Sequence, residues 1–201
     1  MAPAIYLLRH GRTAMDALKR SDGWVDLPLS DKGRMGLIEP QQYLKLEPVA
    51  KIYSPPLRRT EETAHIIASG MMHKPDVLTT PKAMTWNLGV LAGAHKEQNR
   101  PKVKHLLANP DEVPLGGESY NAFKKRYMGW FQTRAEQSRK AGRPILLICS
   151  GSNLRLVSEI LLDDRDKLNL DEGGLAVLHY AKGSWHAEVL FGDKAEEDEI
   201  S

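Results

Sequence analysis

The sequence has a single cysteine, Cys149, so no internal disulfide can form, and a reducing compartment is expected. Aromatic residues make up only 6% of its 201 residues, too few for a base-stacking platform that would grip single-stranded nucleic acid. Neither sign of charge dominates: 28 basic against 26 acidic residues leave +2, which gives no reason to expect nucleic acid or an anionic membrane as partner. Apolar runs such as Ile145 to Cys149 are far too short to cross a bilayer. The chain does not open on a basic segment followed by a long apolar core, so no secretory signal is expected. Internal repeats, low-complexity tracts and Ser/Gly-rich linkers are missing as well. Hydrophobic residues at 41% and charged residues at 27% match an ordinary globular domain. The expectation is one cytoplasmic domain over residues 1–201.

Ala4 to Leu8 is short, apolar and followed by polar residues, and reads as a buried strand. Pro28 to Gly33 reads as a turn into a helix capped by Ser30 or Asp31 and running towards Leu46. Lys51 to Ser54 is a second short strand, and Pro55-Pro56 forces an extended exit from it. A helix over Leu57–Ser69 follows, stopped by Gly70. The stretch from Pro75 to Pro114 holds five of the twelve prolines and is the least regular, with a helix expected over Lys102–Ala108. A substrate-covering role is assigned to about residues 75–118. Apolar spacing then marks a long amphipathic helix over Ser119–Ala141, with Tyr120, Phe123, Tyr127, Trp130 and Phe131 on one face. Ile145–Cys149 is the clearest strand, followed by a helix over Asn153–Leu162. Leu175–Tyr180 and Trp185–Phe191 read as two strands joined at Lys182-Gly183, and the acidic tail from Asp193 is expected to fray. Strands alternating with helices predict a three-layer α/β/α sandwich with a mostly parallel sheet.

The first strand ends in Arg9-His10-Gly11. In open α/β sheets ligands bind beyond the carboxyl ends of the strands, so an abrupt charged pair there is well placed for an anion. Arginine suits phosphate because its planar fork donates two hydrogen bonds at once. A neutral imidazole beside it can attack phosphorus and later leave. Taken alone, the triplet reads better as a strand-end ion pair with a satisfied histidine. The second strand also runs into arginines, Arg58 and Arg59, at the start of a helix. Adjacent helical residues project in different directions, so only one can face the end of the sheet; Arg59 is assigned inward and Arg58 outward.

In order along the chain these segments resemble the histidine phosphatase superfamily, in its phosphoglycerate mutase-like branch. The resemblance runs from Leu7 to about Tyr180. It is carried by Arg9-His10-Gly11 with Thr13, by Gly23-Trp24-x-Asp26-x-Pro28-Leu29-Ser30-x-x-Gly33, and by Pro56-Leu57-x-Arg59-Thr60-x-x-Thr63-Ala64. Gly89-x-Leu91-x-Gly93 and Gly116-Gly117-Glu118-Ser119 add two loop motifs. What the resemblance implies is phosphoryl transfer through a phosphohistidine. His10 would be the nucleophile, with Arg9 and Arg59 holding the phosphate oxygens. Arg12, Thr13, Gly11, Gly151, Ser152 and Thr85 would line the phosphate and substrate site. Arg12 is expected to be solvated, and Asp16, which stands where asparagine is common, is expected to turn away from phosphate. No cofactor or metal is implied, and no Walker or dinucleotide fingerprint occurs. Partners are a small phosphorylated substrate or a phosphoprotein, with no nucleic acid and no membrane; a dimer is one option for the oligomeric state.

Two positions depart from the family pattern. Ser150 stands where the resemblance places a second histidine, and Thr85 stands where it places the glutamate acid. A serine hydroxyl can donate to a phosphoryl group but brings no charge, a loss worth about 10²–10³ in rate by analogy with oxyanion-hole deletions. Threonine cannot protonate an alkoxide near neutrality. Glu97 and Glu118 are acidic neighbours in sequence, read as solvated and loop-fixing respectively. Three explanations stay open. The chain is a specialised phosphatase whose substrates carry good leaving groups, or a degenerate phosphate-binding module, or an enzyme into which Ser150 was introduced. Elsewhere His73, His95 and His105 lack metal-ligand spacing, His65 reads as a packed or surface helix residue, His179 as a half-buried structural one, and Cys149 as a small core residue.

Overall fold

The computed structural model describes residues 4–193, and the acidic tail that follows lies outside the described residues. Its elements in chain order are β1 (Ile5–Arg9), α1 (Ala14–Ala17), α2 (Asp31–Met35), α3 (Ile38–Leu44), β2 (Lys51–Ser54), α4 (Arg58–Gly70) and β3 (Asp76–Thr79). Then come α5 (Lys96–Ala108), α6 (Tyr120–Ala141), β4 (Ile145–Cys149), α7 (Gly151–Leu162), β5 (Leu170–Ala181) and β6 (Ser184–Asp193). The strands form one six-stranded sheet in the order β3-β2-β4-β1-β5-β6. β3, β2, β4 and β1 are parallel, β5 is antiparallel to β1, and β6 is antiparallel to β5. The expected mostly parallel α/β architecture is the one observed.

The continuous apolar runs of β1 and β4 follow from their central place, because a strand covered on both faces has no polar side to present. Side chains alternate between the faces. Ile5, Leu7, Ile145 and Leu147 pack with Phe123, Tyr127 and Phe131 of α6 and with Leu154 and Val157 of α7. Tyr6, Leu8, Leu146 and Ile148 pack on the other side with Leu44 of α3 and with Ala64 and Ile67 of α4. Two apolar layers therefore clamp the sheet and hold the carboxyl ends of β1, β2 and β4 side by side. The aromatic stripe read from the sequence is the buried face of α6. That helix is capped by the Ser119 hydroxyl, which accepts from the Ala122 N–H, and ends at Gly142 with φ of 65°.

Four details differ from the sequence expectation. The helix expected from Ser30 to Leu46 is two helices, α2 and α3, with Ser30 capping the first. Pro40 has no N–H and must sit in a first helical turn, which it does in α3, and fully buried Leu37 occupies the break. Helix α5 begins at Lys96 rather than Lys102 and carries Pro101 inside it. The proline-rich middle also contributes β3, an edge strand whose exposed side chains leave little apolar pattern to read. The terminal hairpin turns at Lys182-Gly183, both at positive φ, as a two-residue turn requires. β5 starts earlier than expected, at Leu170, and its pairing with β6 is irregular between Leu170 and Leu175, around Gly173-Gly174. Among the described residues no helix is long and apolar enough to cross a membrane.

Candidate active site at the strand ends

The last residue of β1 is Arg9, and His10 follows it at the lip of the sheet, where its N–H donates to the carbonyl of Cys149 at 3.0 Å. The His10 side chain is buried, and its Nδ1 lies 2.9 Å from the carbonyl oxygen of Gly11. A carbonyl only accepts, so Nδ1 carries the proton of the neutral ring and Nε2 keeps its lone pair. Burial, followed by the neighbouring charges of Arg59 and Arg9, pushes the His10 pKa down to about 3. The ring is therefore neutral at physiological pH, with Nε2 available as a nucleophile.

Arg59 enters from the first turn of α4 and is fully buried, whereas Arg58 beside it is exposed. The assignment of one inward and one outward arginine matches what the helix does. The Arg59 fork is locked by donation to the carbonyls of Val25 at 2.8 Å and Gly23 at 2.7 Å. Arg9 donates to the carbonyl of Leu170 at 2.5 Å and to Glu172. Both arginines keep a buried Nε with no hydrogen-bond partner, and the buried hydroxyl of Ser150 has none either. Ser150 ends β4 and begins α7, where its N–H donates to Asn153 Oδ1 at 3.0 Å. A Cβ placed on Gly151 would meet the Arg9 guanidinium at 3.8 Å, so the start of α7 lies against that arginine. Ser152 is half-buried in the same turn.

The remaining sequence-assigned residues take more structural roles. Gly11 is a glycine because a Cβ there would lie 2.7 Å from the carbonyl oxygen of Gly33, and its N–H donates to Thr63 Oγ1 at 3.2 Å. Arg12 is partly exposed, as expected, but its Nε also stands 3.4 Å from Glu172 Oε2. Thr13 caps α1 and is buried. Thr85 is buried too, and its carbonyl accepts from Trp24 Nε1 at 2.9 Å and from Arg126 at 3.2 Å. Glu118 fixes the neighbouring loop, accepting from the Asn87 N–H at 3.0 Å and from Arg126 at 2.5 Å. Cys149 is fully buried, and burial pushes its thiol up to about 12, so it stays inert.

Asp16 does not turn away. Its Oδ2 accepts from the Thr13 N–H at 3.0 Å, and its other oxygen lies 3.5 Å from Lys96 Nζ. Capping α1 holds it in place. Two carboxylates at the site were not singled out from the sequence. Asp22 is buried, 4.0 Å from His10 Nε2 and 3.7 Å from Arg59 Nε. Glu172 pairs with Arg9 and is delivered by the irregular start of β5, where the Gly173 N–H donates to the His10 carbonyl at 3.2 Å. The double glycine after Glu172 was the available hint of a bulge. Asp22 directly precedes the Gly23-Trp24 motif, but nothing in its spacing pointed at His10. Atoms of His10, Asp16 and Asp22 lie within 4.8 Å of one another, but the two carboxylates already face the protein's own cations, Lys96 against Asp16 and Arg59 against Asp22.

A mostly parallel α/β sheet with a neutral histidine and two buried arginines at its strand ends defines a class of phosphoryl-handling proteins. The model of the histidine phosphatase superfamily (branch 1) matches residues 5–192, and the chain belongs to that family. A 2,3-bisphosphoglycerate-dependent phosphoglycerate mutase of Methanosarcina mazei is 27% identical, over 89% of this chain and 90% of that protein. A metal-independent phosphoserine phosphatase of Arabidopsis thaliana is 26% identical, over 90% of this chain and 78% of its own length. Among solved structures, a phosphoglycerate mutase from Bacillus anthracis superposes with a TM-score of 0.81 at 20% identity, covering 94% of this chain and 92% of that one. That last likeness speaks for the fold.

Proposed function

We propose that this chain is a phosphatase that works through a phosphohistidine on His10, acting on a small phosphorylated metabolite or a phosphoprotein. The observation that carries this reading is the set of buried donors without partners. Arg9 Nε, Arg59 Nε and Ser150 Oγ come from three elements that meet around His10 and make no hydrogen bond, Arg59 Nε facing only Asp22 Oδ2 at 3.7 Å, and burying donors without hydrogen bonds is costly unless an anion completes them. In the proposed reaction Nε2 forms a bond to phosphorus while the bond from phosphorus to the leaving oxygen breaks. Arg9, Arg59 and the Ser150 hydroxyl stabilise the charge that spreads over the phosphoryl oxygens. Water then attacks phosphorus, the N–P bond breaks, and inorganic phosphate and neutral His10 are released.

With threonine at position 85, no carboxyl stands there to protonate an alkoxide. The proposed substrates are therefore those whose leaving group departs as a stable anion, such as aryl or acyl phosphates and phosphoanhydrides. A second reading, a phosphate-binding module without turnover, is favoured by the same Thr85 and by Ser150. Hydrolysis of an aryl phosphate by the unmodified chain and by His10→Ala tests the proposal. Turnover abolished in His10→Ala supports it, and turnover that survives removes the phosphohistidine. If neither protein turns over, and Ser150→His with Thr85→Glu restores nothing, the binding module is the better account.

A further inference from the structure

The phosphate-facing arginines are already countered from within, and Asp22 is the residue that stands closest to the nucleophile while doing so. Its two oxygens have different tasks. Oδ2 lies 4.0 Å from His10 Nε2 and 3.7 Å from Arg59 Nε, where an oxygen of a phosphoryl group attached to Nε2 would compete for the same guanidinium. Oδ1 accepts from Thr13 Oγ1 at 3.0 Å, and Asp16 Oδ2 is 3.1 Å from that same hydroxyl. A hydroxyl has one proton to give. The backbone N–H groups of Met15 and Asp16 already occupy its acceptor side. Two carboxylates thus converge on one proton, and one of the two is left without it.

The charges facing Asp22 come from every element around it: Asp16 on α1, Lys96 on α5, Arg59 on α4 and His10 after β1. Glu172 and Arg12 lie further along, on the Arg9 side. With His10 neutral, Arg9, Arg12, Arg59 and Lys96 exceed Asp16, Asp22 and Glu172 by one charge, a weak attraction for a dianion. Burial, and next the neighbouring Asp16, raise the Asp22 pKa, so its proton is held to higher pH than that of an ordinary aspartate.

We propose that Asp22 sets the anion selectivity of the pocket: a doubly charged oxyanion enters together with one proton, which neutralises Asp22 and lets its carboxyl donate a hydrogen bond to the anion. When ionised, Asp22 acts instead as an internal competitor for Arg59. This rests on the phosphate-site reading above, yet it is tested by binding alone.

Sulfate is the probe, because it stays a dianion between pH 4.5 and 8, the ~pH window in which His10 remains neutral. Calorimetric titration of the intact protein in buffers of different ionisation heat should show uptake of about one proton per sulfate towards the upper end of that range. Affinity should fall with rising pH by up to about tenfold per pH unit, the limit for one linked proton. Asp22→Asn keeps the size of the side chain and the acceptor for Thr13; it should bind sulfate at least about tenfold more tightly at pH 8 and lose the proton uptake. Sulfate bound by the unmodified protein without proton uptake overturns the proposal and needs no variant. So does an Asp22→Asn protein that is folded by circular dichroism but binds no more tightly at pH 8. A failure of the underlying reading looks different: sulfate is then not bound at any pH, or is bound equally well by Arg59→Ala.

Discussion

On the side of the pocket made by β1 and α4, every charged group is held by several bonds. Arg59 is tied to two carbonyls and faces Asp22, Thr13 sits between two aspartates, and the His10 ring is fixed through Gly11. On the side made by β4, α7 and the loop around Thr85, Ser150, Asn153 and Thr85 are neutral, and the charged pair Glu118–Arg126 is taken up in holding the loop. Ser150 offers an unpartnered hydroxyl, and Asn153 reaches across to the Met84 carbonyl at 3.4 Å. The difference teaches where selection by chemistry acts on this fold. Holding a phosphoryl group and attacking it call for fixed charge and an oriented lone pair, and both are built. Protonating a leaving group calls for an acid with a suitable pKa, and position 85 supplies none. Under the proposed function, the first side governs whether phosphate is captured, and the second governs which esters are cleaved.

The sharpest way to break this contrast is at the nucleophile. His10→Ala should lower aryl phosphate turnover by roughly 10³-fold or more, measured in steady state, because it removes the Nε2 lone pair that forms the bond to phosphorus in the proposed reaction. Next in size is Arg59→Ala, expected to lower kcat/KM by about 10²–10³. It should also cost about 3–5 kcal/mol in denaturant unfolding, since it leaves buried Asp22 facing no guanidinium. Arg58→Ala, on the exposed neighbour, should change stability by about 0.5 kcal/mol or less and leave kcat/KM intact.

The neutral side is sharpened by putting acids back. Ser150→His with Thr85→Glu should raise hydrolysis of alkyl phosphates by about 10²-fold while moving aryl phosphates far less, because only the poor leaving group needs the proton. An unchanged alkyl-to-aryl ratio contradicts the division of labour. A separate effect is on stability. Folded His10 takes up its proton only near pH 3, whereas the unfolded side chain does so near 6.5. Between those values the unfolded state binds more protons, so the stabilisation present above 6.5 is lost as the pH falls towards 3. Unfolding free energies measured across this range should fall with acidity for the unmodified protein and fall less for His10→Asn.

Much of the contrast was legible in residue order alone. Short continuous apolar runs identified β1 and β4, because central parallel strands are apolar on both faces, and an aromatic stripe at helical spacing identified α6. Arg9, His10 and Arg59 could be picked out because they interrupt buried elements with charge. Asp22 and Glu172 could not, since they lie in irregular segments where spacing carries no direction, and their roles come from which strand ends the topology brings together. β3 escaped because an exposed edge strand has little apolar signal, and α2 and α3 merged in the reading until Pro40 and buried Leu37 are seen to require a break.

The central claim is that His10 carries the phosphoryl group, and rapid quenching of the protein with an acyl phosphate tests it most directly. The account predicts one phosphoryl group on a peptide containing His10, stable to alkali and labile to acid, formed as fast as turnover requires and missing in His10→Ala. Steady hydrolysis without that adduct, or an adduct on a different residue, would contradict it.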